Sequence, residues 1–249
     1  DVSAPPGMTV RQVPITVGTA HVDGITVTME PRASVSGRIV FSGDIQPPAQ
    51  EQAKLIGVAL RDVQSGARIE GRMTPEGTFE IRDVPPGRYH VLGESLAREW
   101  RAAGVRSDAA NLTTDVLTIT HANVPDIVVT FTDKTMAIAG MVIDESGRTA
   151  SDGSVVLMPV NVKAWIAAGM AVQRTQVVPV AADGSFQMTV GLPGDYVIVA
   201  APPDVHPQTT IDPITVDAEF AVAYAPLGTR VTIALGDKKT QPLTIRRAR

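Results

Sequence analysis

The chain has 249 residues, 44% of them hydrophobic and 4% aromatic, with no cysteine and a formal net charge of −4. Absence of cysteine excludes disulfides and thiolate metal sites, and the negative balance leaves no electrostatic footprint for nucleic acid. No apolar run approaches the ~20 residues a membrane-spanning helix needs, while the 21 Gly and 19 Pro are spread along the chain as punctuation between short strands.

The chain opens at Asp1 with no initiator Met and no charged or apolar leader, as a processed protein or an excised segment would. Residues 1–12 are a polar lead-in. Ile15-Thr16-Val17 and Ile25-Thr26-Val27-Thr28-Met29 then read as two short strands. The same Thr-flanked pattern returns as Leu117–Thr120 with Ile127–Phe131, and as Val231–Ile233 with Leu243–Ile245. Each is taken as a pair that closes a module.

Ala33–Phe41 alternates apolar and polar residues around a mid-strand glycine, Gly37, and Met136–Asp144 does so around Gly140. A glycine inside a strand marks a bulge or a close approach of neighbouring backbone. A proline-rich loop (46–50) and strands at Leu55–Leu60 and Ala67–Met73 follow in the first half. Gly77-Thr78-Phe79-Glu80-Ile81-Arg82 then leads through Pro85-Pro86-Gly87 into Tyr89-His90-Val91-Leu92. Gly184-Ser185-Phe186-Gln187-Met188-Thr189-Val190, Leu192-Pro193-Gly194 and Tyr196-Val197-Ile198-Val199 repeat it. Period-two alternation predicts strands on both sides, with Phe79, Ile81, Tyr89, Val91 and their counterparts facing a core. The prolines end the first strand and the glycine frees the turn, so each copy reads as a hairpin.

Residues 94–111 break the pattern and suggest a short helical turn or a structured crossover loop. In the second half, strands are expected at Ser154–Met158 and Thr175–Val180. The Ala-rich piece around Trp165 is the best helix candidate, and a second excursion runs from Ala201 to Pro226.

Two motif copies about a hundred residues apart imply all-β tandem seven-stranded Greek-key sandwiches. The expected organisation is a closing strand pair of an incomplete upstream module (1–31), a first β-sandwich module (32–132) and a second (133–249). The N-terminal pair is either the end of a module cut upstream or an extra pair docked on the first full module. A lone two-stranded pair is marginal in water, so it should pack on something.

The Val-Ser-Gly-Arg-Ile-Val-Phe strand, Thr74-Pro75-Glu76-Gly77-Thr78-Phe79, Pro85-Pro86-Gly87-Arg88-Tyr89 and their partners in the second half resemble the carboxypeptidase regulatory-like family over residues 33 to 246. That resemblance implies a transthyretin-like (prealbumin-like, Ig-like) sandwich close to carbohydrate-binding-like and adhesin stalk modules, in bacterial proteins that are secreted or exposed on the cell envelope. It implies no peptidase activity. Adhesin relatives carry Lys–Asn cross-links, but no such triad can be placed here: Lys54 and Lys134, nearest the opening strands, read as solvated.

No catalytic set stands out. His21, His90, His121 and His206 show no metal-ligand spacing, no Gly-x-Ser-x-Gly elbow is present, and Asp144, Glu145 and Asp183 sit where turn geometry asks for them. The expectation is a chain that is not an enzyme, with no cofactor or metal. Trp100 and Trp165 lie in excursions, where binding residues concentrate. Each is either a stacking platform for a glycan or a plug under its loop. The reading is a structural, spacing or assembly module whose partners are neighbouring modules or subunits, with carbohydrate binding through Trp100 or Trp165 as the alternative.

Overall fold

A computed structural model describes residues 8–10, 25–26, 29–169, 174–208 and 216–248. The strands expected at 15–17 fall outside these residues, as does His21. Ile25 and Thr26 have no regular structure; the described N-terminal strands are β1 (Met8–Val10) and β2 (Met29–Pro31), which pair antiparallel with one another.

Eight strands follow up to Thr132: β3 (Ala33–Ser42), β4 (Ile56–Asp62), β5 (Arg68–Arg72), β6 (Thr78–Val84), β7 (Gly87–Ser95), β8 (Arg101–Arg106), β9 (Leu117–Ile119) and β10 (Val124–Thr132). A short helix, α1 (Gln50–Ala53), interrupts the proline-rich loop. The strands form two four-stranded sheets, ordered β6-β3-β10-β8 and β5-β4-β7-β9. The excursion at 94–111 therefore holds a strand, β8, that neither a helical turn nor a loop describes. Its sequence, Arg-Ala-Ala-Gly-Val-Arg, lacks strong β-formers, and only Ala103 and Val105 carry the buried alternation.

The second half contains β11 (Met136–Ile143), β12 (Ser154–Pro159), β13 (Gln176–Pro179), β14 (Ser185–Val190), β15 (Gly194–Ala201), β16 (Thr229–Ile233), β17 (Lys238–Thr240) and β18 (Leu243–Thr244). One sheet runs β14-β11-β17, with β18 continuing beside β11; the other runs β13-β12-β15-β16. Two helices are added, α2 (Val162–Ala167) and α3 (Ala218–Tyr224). The fold is all-β. By contact density the described residues form two compact units, one of those up to Val40 with Pro48–Glu94 and Val105–Val129, the other of those in Phe41–Pro47, Ser95–Gly104 and from Thr130 onward.

The repeated proline-glycine motif is not a hairpin. β6 and β7 belong to different sheets, and so do β14 and β15. The turn is a corner that carries the chain from one sheet to the other, and Phe79 and Ile81 on one strand and Tyr89 and Val91 on the next are all buried. Pro85 and Pro86 could not donate to a ladder in any case. A tyrosine closes each corner: the Tyr89 hydroxyl donates to the Pro85 carbonyl at 2.9 Å, and that of Tyr196 to Leu192 at 2.6 Å. The two full closing pairs behave alike: β9 and β10 lie in opposite sheets, as do β16 and β18. Alternation reports burial of one face and is silent about which strand supplies the hydrogen-bonding neighbour.

In the second unit the core between the sheets is built from Met136, Ile138 and Val142 of β11, Phe186 and Met188 of β14, and Leu157, Tyr196 and Ile198 opposite. The other face of β12 and β15 is also apolar, with Val156, Met158, Val197, Val199 and Ala201. Helices α2 and α3 roof it through Val162, Trp165, Phe220 and Tyr224, and the Phe220 and Tyr224 rings stack 4.3 Å apart. Asn161 and Asp217 cap these helices by accepting the Ala164 and Phe220 N–H groups. In the first unit β5 instead places Arg68, Glu70 and Arg72 in solvent, with Arg68 paired to Glu70 and Glu94. On β4, beside β5, Ala59 lies opposite Glu70 and is fully buried.

Candidate functional site

Trp100 has 3% of its surface exposed and Trp165 has 6%. Trp100 ends a tight turn, its N–H bonded to the Ala97 carbonyl at 3.1 Å, and its ring meets Phe41 edge-on at 4.7 Å. Phe41 continues to Phe131 at 6.0 Å. Trp165 lies on α2 within the apolar roof over β12 and β15. A sugar stacks on an aromatic face that water can reach, and neither indole offers one. Both anchor the excursions they belong to.

The remaining chemistry-bearing groups are dispersed. His90 is buried on β7, whereas His121 and His206 are exposed. Among the described residues, no three His, Asp or Glu side chains gather as a metal would require. The aspartates serve turns. Asp144 Oδ1 accepts the Ser146 and Arg148 N–H groups at 2.8 and 2.9 Å and the Ser146 hydroxyl at 2.6 Å. Asp183 Oδ1 holds the Ser185 N–H and hydroxyl at 2.9 and 2.6 Å. The Ser146 and Ser185 hydroxyls lead in holding these carboxyls below the ordinary aspartate value.

Two further arrangements were not legible as sites. One is the connection between β10 and β11. Thr132 is fully buried and its hydroxyl accepts the Lys134 N–H at 3.1 Å. Asp133 Oδ2 accepts the N–H groups of Asp44 and Ile45 at 2.6 and 2.9 Å, and the bond from Ile45 leads in lowering its pKa. A Cβ on Gly43 would stand 2.1 Å from the Asp133 carboxylate, so glycine there admits the clamp. The Lys134 ammonium pairs with Asp44, which raises the lysine pKa. All of these residues belong to the second unit. Thr132-Asp133-Lys134-Thr135 reads as a plain polar linker; only the partner loop, some ninety residues earlier, shows what Asp133 holds.

The other is an open depression lined by Asp144, Arg148, Ile245 and Arg247 among others. Both of its arginines are already paired: Arg148 Nε meets Asp144 at 3.3 Å, and Arg247 forms a two-pronged pair with Asp204 at 2.7 and 2.8 Å.

No family model and no curated protein matches this chain. Among solved structures it is similar to the minor pilin GBS52 of Streptococcus agalactiae, at 14% identity and a TM-score of 0.31, with 86% of this chain and 94% of that one covered. The shaft pilin SpaA of Lactobacillus rhamnosus GG aligns at 10% identity and a TM-score of 0.27, over 87% of this chain and 98% of that one. The TIE protein of Bacillus anthracis aligns at 11% identity and a TM-score of 0.29, over 88% of this chain; the chain spans 35% of its length. Scores of this size establish no common fold, so the all-β assignment rests on this chain's own strands and sheets. No helix among the described residues is long and apolar enough to cross a membrane.

Proposed function

We propose that the chain is a non-enzymatic structural module of a secreted or cell-surface protein, in which tandem β-sandwiches space or assemble neighbouring parts. The repeat boundaries that go with this reading are 1–31, 32–132 and 133–249, and the partners are adjacent modules or subunits. The resemblance of the two motif copies to carboxypeptidase regulatory-like repeats points the same way.

The observation that carries it is the clamped connection between β10 and β11. Only three residues, 133–135, separate these strands. A free linker of polar residues samples many conformations, and each fixed residue costs about 1–2 kcal/mol of backbone entropy. Here Asp133 spends its carboxylate on two backbone donors and Thr132 is buried, so the connection is built to hold one shape. A spacer requires that property; a tether does not. Glycan binding through Trp100 or Trp165 draws no support from two interior rings.

The test is rotational diffusion by 15N relaxation, comparing the natural chain with one carrying a flexible Gly-Ser insertion between Thr132 and Asp133. The expected result is a single correlation time for both repeats in the natural chain and two shorter ones after insertion. Independent tumbling of the natural chain would sink the spacer reading. Asp133→Ala should give an intermediate result.

A further inference from the structure

Among the described residues, β16 pairs on one side only, with β15. Its register sets Asp195 opposite Thr232, Tyr196 opposite Val231 and Val197 opposite Arg230. In an antiparallel ladder both backbone groups of a residue point to the same neighbour, and successive residues alternate. The Asp195 carbonyl accepts the Val160 N–H, so Asp195 turns toward β12 and Thr232, opposite it, turns away from β15. By the same alternation Arg230 faces outward too. The Lys239 ammonium donates to the Thr232 carbonyl from the open side, in agreement.

This edge is less protected than that of the other sheet. Edge strands are blunted by shortness, charged side chains (lysine above all), proline or bulges. β17, in the other sheet, is three residues long, contains Lys238 and Lys239, and is followed by Pro242. β16 is Thr-Arg-Val-Thr-Ile, with no proline, no lysine and a regular register over all five residues. Arg230 is its one charge, and among the described residues its cover is the reach of Lys239.

We propose that β16 pairs antiparallel with β16 of a second copy of this chain, about a two-fold axis through Val231, joining two four-stranded sheets into one of eight. The parity is right for self-pairing. With Val231 opposite itself, Arg230 falls opposite Thr232 of the second copy, and these are the residues whose backbone groups face out. Four inter-chain N–H···O bonds result. Val231, already half-packed on the core, meets its own copy at the closely spaced, non-bonded position. Arg230 and Asp195 lie on the same outer face, two strands apart once the copies pair, so each arginine approaches the aspartate of the other chain. Self-pairing of one patch is the isologous geometry of two-fold dimers. The Lys239 bond must break for pairing, because the Thr232 carbonyl is then taken by Arg230 of the second copy. Lys239 is thus the restraint on this edge.

This goes beyond the spacer reading and does not depend on it; tumbling of the repeats and association of copies are separate quantities, and either can fail alone. The test is analytical ultracentrifugation of the full chain from micromolar to millimolar concentration, with amide hydrogen exchange. Expected are a concentration-dependent dimer and slowed exchange at Arg230 and Thr232 on association. Lys239→Ala should tighten the dimer about a hundredfold, because one charge-assisted hydrogen bond is relieved in each of the two copies. Thr232→Pro, which removes an outward N–H and no ladder bond, should give a monomer. A natural chain and a Lys239→Ala chain that both stay monomeric overturn the proposal, as does a folded Thr232→Pro dimer. Should Thr232→Pro fail to fold, exchange at residues 230 and 232 decides: no slowing with concentration is a refutation.

Discussion

Gly37 and Gly140 show how little room a single position can leave. A Cβ on Gly37 would stand 1.9 Å from the Ile127 carbonyl oxygen, and one on Gly140 would stand 2.0 Å from that of Gln241 and 2.8 Å from the Phe186 ring. The obstacle is backbone in both cases, which cannot swing aside as a side-chain tip can. In each repeat the glycine also lies opposite the motif phenylalanine, Gly37 beside Phe79 and Gly140 beside Phe186. The close approach expected of a mid-strand glycine is therefore present, and the spacing of glycine and Phe-containing strand in the two repeats has a single cause. Alanine at either position must push a core strand away from its neighbour. The expected loss is about 3 kcal/mol, at the upper end of overpacking costs, read as a shift in the urea midpoint without a change in slope. A loss near that of an exposed strand glycine, or a gain in stability, would show that the strands can separate cheaply. The tyrosine clamps at Pro85 and Leu192 were not legible in the same way. Tyr89 and Tyr196 read as core residues, which they are, but the hydroxyl's partner lies four residues back in a turn that looked like a hairpin.

At the scale of elements, the contrast between the two units lies in how each treats the outer face of its second sheet. Val155-Val156-Leu157-Met158 and Val197-Ile198-Val199-Ala200 are continuous apolar runs, the mark of strands covered on both sides. Such runs call for a cover, and the sequence half conceals what supplies it. The Ala-rich piece around Trp165 was readable as α2. Helix α3 was not, because its seven residues sit in an excursion containing Pro202, Pro203, Pro207 and Pro226, and its Asp217 cap is one aspartate among many. The roof predicts its own weak point. Trp165→Ala removes the largest side chain joining α2 to the sheet and should destabilise the second unit by about 4 kcal/mol, as large aromatic truncations do. Thermal unfolding and the near-ultraviolet signal of Phe220 and Tyr224 would both report the change. A small loss with an unchanged aromatic signal would mean that α2 is an ornament and that α3 alone covers the face.

For the whole molecule, the aspartates tie stability to pH. Asp133, Asp144, Asp183, Asp204 and Asp237 all have pKa values held below the ordinary one, led respectively by the Ile45 N–H, the Ser146 hydroxyl, the Ser185 hydroxyl, Arg247 and the Ala234 N–H. At Asp62 desolvation is the largest single influence and acts upward, yet the bonds from Ser65 and Gln64 together bring the net shift down. The sign follows from proton counting. A carboxyl with a depressed folded-state pKa binds its proton more readily in the unfolded chain, so acid favours unfolding. The stabilisation is complete above the unfolded aspartate value of about 4 and disappears as pH falls through the lower folded values. These groups act in turns and in the β10–β11 connection of different elements, so the losses accumulate as pH falls below the ordinary aspartate value. The melting temperature should stay nearly flat from neutral pH down to about 5 and then drop steeply toward pH 2. Replacing Asp144 and Asp183 by Asn keeps an acceptor oxygen in each turn while removing the titration, and should make the acid limb shallower at a small cost near neutrality. A natural chain whose melting temperature holds or rises between pH 5 and 3 would mean that the turn carboxylates do not couple to global unfolding. Any fall confined to still lower pH would then have to come from general charge repulsion, which added salt would abolish through screening. Hydrogen bonds to backbone donors are short-range and should survive that salt, so a limb that persists identifies them as its source.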